Sequence, residues 1–517
     1  MRRATARHGL ALGIALLVGA EGLAFPGAEG PGRLSVGGRG GAVVFVTSRA
    51  DSGPGTLRAA LERPGPRTVI FRVGGTITLE SPLVISEPYV TVAGQTAPGG
   101  GIQIRNNPSA PYGLAADSFA SLVIATHNVV IRYLRIRPGP LDPNPACTGP
   151  NAVPHPEGVS TCVDANDIRA IEIQPGARLV MLDHLSLSWA VDKLLAVIGA
   201  SRVTLQWSIL AEAMDLVLYE GFFGTRASYH GQGTITGNVA SARAGEVTGR
   251  LAFHHNLFSQ LMARAPQMIP NCPFSTQPLT CASDVVNNYV YDWDDYGASV
   301  ANTSGHSFVN VVGNYFRPGG DTRTVQRAFL MTDWGTSSSA VVPGATLGVH
   351  QSGNRIQVSQ GVSSTVQPSC ARWNGTLGRF DPCDPLTYSR PRYATTPLTT
   401  TDAVTARDQV LAQAGASARL DTRGVFVPAR DTADERIVTD ASRGTGRIID
   451  SRAAFPGWPG LSTGTPPADR DLDGMPNAFE DRFGCLDARR TDHALDADSD
   501  GYTNLEEYLN GTPPCGS

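Results

Sequence analysis

Two acidic runs near the C-terminus carry the densest chemistry in this 517-residue chain. Asp469, Asp471 and Asp473 are followed by Gly474, Asn477 and Glu480; Asp496, Asp498 and Asp500 are followed by Gly501, Asn504 and Glu507. Oxygen donors at positions 1, 3, 5, 9 and 12 of a loop, with glycine at 6, suit a hard cation that needs six to eight oxygens. Both loops are therefore predicted to hold calcium in a structural role. A solvated acidic loop is the plainer alternative, but two full matches 27 residues apart (469 to 496) weigh against it. Upstream, Asp183 beside His184 and Asp192 beside Lys193 are carboxylates that a rigid wall could present to a ligand. Lys193 is the chain's only lysine, so other cationic help must come from arginines.

The elements that must position these groups are short runs of alternating apolar and polar residues. Leu179–Leu187 and Val203–Leu210 alternate with period two, the mark of strands with one face inward. Similar runs recur at 129–137, 250–258, 284–291, 307–316 and 346–356. Asn256, Asn288, Asn314 and Asn354 take a similar place in four of them, which suits a stacked amide ladder on a coiled solenoid. His184 and Ser208 are read as equivalent positions one turn apart. Thr56 is predicted to cap a short helix through Leu61 that covers the first open edge. Beyond about Arg355 the repeat fades. A helix is expected over 405–416, and 437–458 reads as extended tail.

Composition narrows the class. A net charge of −4 gives a nucleic-acid partner little electrostatic support. Met1–Ala24 reads as a secretory signal, with Arg2, Arg3 and Arg7 before a short apolar run. Cleavage after Ala24, or at the rival Ala20, leaves no later membrane segment, although an N-terminal anchor is the alternative. Eight cysteines without metal spacing suit disulfides in an oxidising compartment, paired as neighbours: 147 with 162, 272 with 281, 370 with 383 and 485 with 515. The expected organisation is signal 1–24, solenoid 25–395, associated tail 396–465 and calcium-loop module 466–517.

Several segments together resemble the secreted bacterial pectate lyases of polysaccharide lyase family 1. They include GGRGG at 37–41, DSGPGTLRAAL at 51–61, AGQTAPGGGI at 93–102 and LDHLSLSWAVD at 182–192. VTLQWSILAE at 203–212, HHNLFSQLMARAPQ at 254–267 and NNYVYDW at 287–293 continue the match in order. The acidic loops are similar to EF-hand-like, dockerin-like or thrombospondin type 3 repeats. The resemblance implies an all-β, right-handed parallel β-helix that acts as a secreted monomer on polygalacturonate, an acidic plant-type polysaccharide, with calcium. Implied roles are Arg264 as the base, His230 and Lys193 as substrate contacts, and Asp192 as a catalytic calcium ligand. Asp164 or Asp167 would supply the opposite wall, with Asp183 either a ligand or a brace for His184. An arginine is an unusual base, since a free guanidinium keeps its proton beyond about pH 12.

The chain also departs from the family pattern. Ser188 and Arg169 stand where acidic residues are usual, and Gln267 replaces an arginine. These changes leave open a lyase for another uronate polymer, or a glycan-binding β-helix without turnover. A hydrolase would need paired acids around a water, and no such cluster is evident.

Overall fold

The chain coils into three parallel sheets, as the short alternating runs require. The computed structural model describes residues 22–109, 119–140, 153–154, 160–161, 168–214, 219–220, 227–228, 231–237, 245–273, 281–303, 305–334, 345–377, 379–450 and 452–516. The first sheet has ten strands, from Ala42–Val46 to Leu347–Ser352, each paired with the next coil. The second sheet also has ten, from Gly75–Leu79 to Val362–Thr365, the last antiparallel. The third is formed by two five-stranded halves, joined by a parallel bridge between Gln232 and Ala263. This is a parallel β-helix.

Register stacks like on like inside the coil. Val90, Val129, Val180, Val203 and Leu251 face one another in successive coils of the first sheet, all fully buried. Ile131, Leu182, Leu205, Phe253 and Val285 form a second such column. Each side chain is buried by the rung above and below, so no coil could hold its core alone.

At the corner after the first sheet, Tyr133, His184, Trp207, His255 and Asn287 all take left-handed backbone, with φ between 50° and 55°. Gly313 and Gly353 continue the column. The cost of that conformation for L residues is offset by ring stacking: Tyr133 on His184 at 4.6 Å, and Trp207 on His255 at 4.3 Å. His184 thus aligns with Trp207, one residue before Ser208, which corrects the expected equivalence by one position. The next residue forms the amide ladder. Asn256 Nδ2 donates to Asn288 Oδ1 at 3.0 Å, Asn288 to Asn314 at 3.0 Å, and Asn314 to Asn354 at 2.9 Å.

Helix Leu57–Glu62 closes the first edge, with Thr56 Oγ1 accepting from the Ala59 N–H. The C-terminal region wraps the outside. Helices Ala403–Gln413 and Thr432–Arg443 pack on the second sheet against Ile209, Leu257, Tyr289 and Tyr315. The second helix takes up 437–443 of the stretch expected as extended tail over 437–458; over 444–458 no α-helix follows among the described residues. Asp431 caps its start and left-handed Gly444 ends it, signals obscured by a charged interior. It is latched by Arg137, whose guanidinium reaches Asp431 at 2.6 Å and Asp434 at 2.7 Å. The acidic repeats pack on the first sheet through Met475, Phe479, Leu505 and Tyr508 against Ile70 and Ala93.

Disulfides join Cys272 to Cys281, Cys370 to Cys383 and Cys485 to Cys515. Cys147 and Cys162 lie outside the described residues, as does the expected signal up to residue 21. Among the described residues no helix is long and apolar enough to cross a membrane.

Candidate functional site

The third sheet brings the candidate catalytic residues into one row. Strands Ile168–Ile173, Lys193–Val197 and Gln232–Thr236 are parallel, with Arg169 opposite Lys193 and Lys193 opposite Gln232. Gln232 bridges to Ala263, so on the next coil Ala263 holds the register position and Arg264 follows it by one residue. Asp192 sits at the foot of the row with its backbone pinned: its N–H donates to Ile168 O at 3.1 Å, and Gln232 N–H donates to its carbonyl at 3.0 Å.

The Asp192 carboxylate is fully buried and holds the Lys193 ammonium, with Arg169 Nε at 3.6 Å. Arg169 also reaches Glu172 at 2.6 Å. Asp192 is a hard oxygen donor of the kind a divalent cation takes, and the pair with Lys193 shows that it already attracts positive charge. One carboxylate is short of the six to eight oxygens calcium takes, so a cation there would displace Lys193 and draw its other ligands from beyond the described residues. Lys193 itself is largely buried, so it meets a ligand only at its tip.

Arg264 is held by its backbone. Its φ is 63°, the peptide between Ala265 and Pro266 is cis, and its carbonyl accepts from Thr234 N–H at 2.9 Å. A Cβ at Gly233 would lie 2.5 Å from that carbonyl, so only glycine permits the close approach. The side chain is half-buried, and its Nε has no hydrogen-bond partner among the described residues. Gln267 Nε2 reaches the Tyr296 hydroxyl at 3.4 Å. Gln232 went unrecognised in the sequence because only the register reveals it.

Asp183 lies elsewhere. It faces out from the first sheet, where Arg132 Nε reaches it at 2.9 Å, Gln206 Nε2 at 2.8 Å and His184 Nδ1 at 2.9 Å. Burial raises its pKa, but His184 and Arg132 outweigh that and hold it below the usual carboxylate range. Asp183 is a brace for the corner, and it is not brought together with Asp192. Asp164, Asp167 and His230 lie outside the described residues.

The acidic repeats form a separate centre. Leu472 and Ser499 take φ of 61° and 64°, and Gly474 and Gly501 follow at 94° and 100°, so both loops turn alike. Gly474 N–H donates to Asp469 at 3.2 Å, and Gly501 N–H to Asp496 at 3.0 Å. Asn477 and Asn504 use their amide carbonyls to accept from Arg470 and Ala497 N–H, closing the loops; they are brackets for the ligand set. Asp469, Asp471 and Asp473 gather in one set, and Asp496, Asp498 and Asp500 in another. Glu480 gathers with Asp473 and Asp492, a residue the loop pattern does not include. Glu507 is buried but stands outside the second set. Burial first, and neighbouring carboxylates second, push Glu480 up to about 8, and burial pushes Asp473 up to about 7. Such carboxylates invite a cation.

No protein-family model matches the chain. Probable pectate lyase C of Aspergillus flavus is 31% identical over 505 residues, covering 95% of this chain and 94% of that protein. Probable pectate lyase C of Aspergillus fumigatus is 30% identical over 496 residues, with the same coverage. Among solved structures, jun a 1, the major cedar pollen allergen, aligns over 74% of this chain and 91% of its own, at 18% identity and a TM-score of 0.43. A pectate lyase from a Bacillus species, solved in complex with trigalacturonate, aligns over 75% and 98% at 15% identity and a TM-score of 0.40.

Proposed function

The chain belongs to the pectate lyase family, and on that footing we propose that it cleaves polygalacturonate by β-elimination at the row Arg169, Lys193 and Gln232, with Arg264 on the adjoining coil. It is a polysaccharide lyase. The observation that carries the proposal is the register that sets Arg169 and Lys193 side by side against one buried carboxylate, two coils from Arg264.

In a uronate the C5 proton is α to a carboxylate, and removing it builds negative charge on that group. Arg169 and the Lys193 tip place positive charge where this occurs, in a wall fixed before substrate arrives. Asp192, with Asp164 or Asp167, would hold calcium, and the dication would supply charge that offsets the substrate carboxylate. Arg264, once alkaline solvent has taken one proton from its guanidinium, would accept the C5 proton as the neutral guanidine. The C5–H pair becomes the C4–C5 double bond, and the C4–O pair leaves with the glycosidic oxygen, which is protonated from water. His230 contacts substrate, and the acidic repeats hold structural calcium. The signal-like leader and the disulfides support secretion, with the enzyme working as a monomer.

The test is ultraviolet absorbance of the unsaturated product from polygalacturonate, with calcium and with chelator. Growth of signal that needs calcium supports the proposal. New reducing ends without that absorbance would mean hydrolysis, and binding without either would mean a glycan-binding protein.

A further inference from the structure

The carboxylates of the first acidic repeat gather in two sets rather than one. Oxygens of Asp469, Asp471 and Asp473 lie within 4.8 Å of one another, and so do oxygens of Asp473, Glu480 and Asp492. The two sets share only Asp473. Oxygens on one calcium lie about 2.3–2.6 Å from it, so opposite ligands are about 5 Å apart at most. Each set has the size of one coordination sphere.

The carboxylates are also unusually bare. Glu480 is 1% exposed, and neither of its oxygens has a hydrogen-bond partner among the described residues. The same holds for both oxygens of Asp471 and for one oxygen each of Asp469 and Asp492. Asp473 is fully buried and accepts from Met475 N–H at 3.0 Å and, through its other oxygen, from Asp492 N–H at 3.2 Å. Each oxygen thus keeps a lone pair. The nearest fixed cation is Arg72, 3.3 Å from Asp469. Five carboxylates and one guanidinium leave four negative charges. One dication leaves −2, and two leave zero. Buried unpaired charge is costly, so neutralisation by two dications is the arrangement favoured.

We infer that the first repeat binds two hard divalent cations, bridged by Asp473, with Asp492 completing the second centre. This rests on the reading of the acidic repeats as calcium loops. The second cation joins the first loop to the segment leading into the second repeat. That segment carries Leu505 and Tyr508 onto Ile70 and Ala93, so the cation fastens the module to the solenoid.

The experiment is calcium stoichiometry of the full chain by equilibrium dialysis, comparing wild type with Asp492→Asn, Asp471→Asn and Asp473→Asn. Expected losses are one equivalent for Asp492→Asn, one for Asp471→Asn and two for Asp473→Asn. Circular dichroism confirms folding, and Asp492→Ser serves as a second variant at that position. Unchanged stoichiometry in both Asp492 variants, with a loss in Asp471→Asn, overturns the second centre and leaves the loop reading intact. No loss in any variant overturns the loop reading itself.

Discussion

Replacing Asn314 by alanine tests the amide ladder at one of its two inner rungs. Asn314 Oδ1 accepts from the Asn288 N–H at 2.9 Å and from Asn288 Nδ2 at 3.0 Å. Its Nδ2 donates to Asn354 Oδ1 and to Val285 O, both at 2.9 Å. Truncation leaves two buried donors of Asn288 with no acceptor, while Asn354 Oδ1 still accepts from the Asn314 backbone. At about 1–3 kcal/mol for each buried orphan, the two donors cost about 2–6 kcal/mol. Serine should cost less. In the same column Ser208 Oγ accepts from the Leu185 N–H at 3.0 Å, so a serine hydroxyl can still satisfy the backbone donor. Equilibrium urea unfolding, with matched slopes, should rank wild type above Asn314→Ser and Asn314→Ala lowest. A loss below about 1 kcal/mol in the alanine variant, or equal losses in both, would refute the reasoning.

Two other predictions concern buried charge. Burial pushes Asp284 up to about 6, while Asn310 and Thr395 donate to its Oδ1 at 2.9 and 3.1 Å. Because its folded pKa exceeds the unfolded value, its contribution is fully present below about pH 4 and is lost as pH rises through 6. Asp284→Asn keeps the acceptor and removes the titration, so it should gain up to about 3 kcal/mol over wild type at pH 8 and little at pH 4; denaturation at both values checks this, and equal effects contradict it. Lys193→Met removes the ammonium held by buried Asp192 and should lower kcat/KM on polygalacturonate by about 30- to 5,000-fold, the range of a lost buried charge contact. Initial rates with unchanged circular dichroism check it, and a loss under threefold would contradict the role.

Much of the fold was legible because a solenoid repeats itself. The alternating runs and the recurring asparagines state the period directly, and Thr56 announces the edge helix. The row Arg169, Lys193, Gln232 was not legible, because its members are separated by unequal loops, 24 residues from 169 to 193 and 39 from 193 to 232. Only strand pairing aligns them. Asp183 misled because the sequence cannot show that the strand presents it on a different sheet from Asp192. The helix over 432–443 had legible caps in Asp431 and Gly444, but the anchoring arginines 135 and 137 lie almost three hundred residues away. Asp492 escaped because it falls between two self-contained loop motifs.

In the proposed mechanism Arg264 removes the C5 proton. Unsaturated-product formation should be measured for wild type and Arg264→Ala under saturating polygalacturonate and calcium, with binding followed separately. Loss of a positioned base predicts a fall in kcat of about 100- to 10,000-fold with substrate binding retained. A variant that keeps kcat within about threefold, well short of that range, would contradict the account.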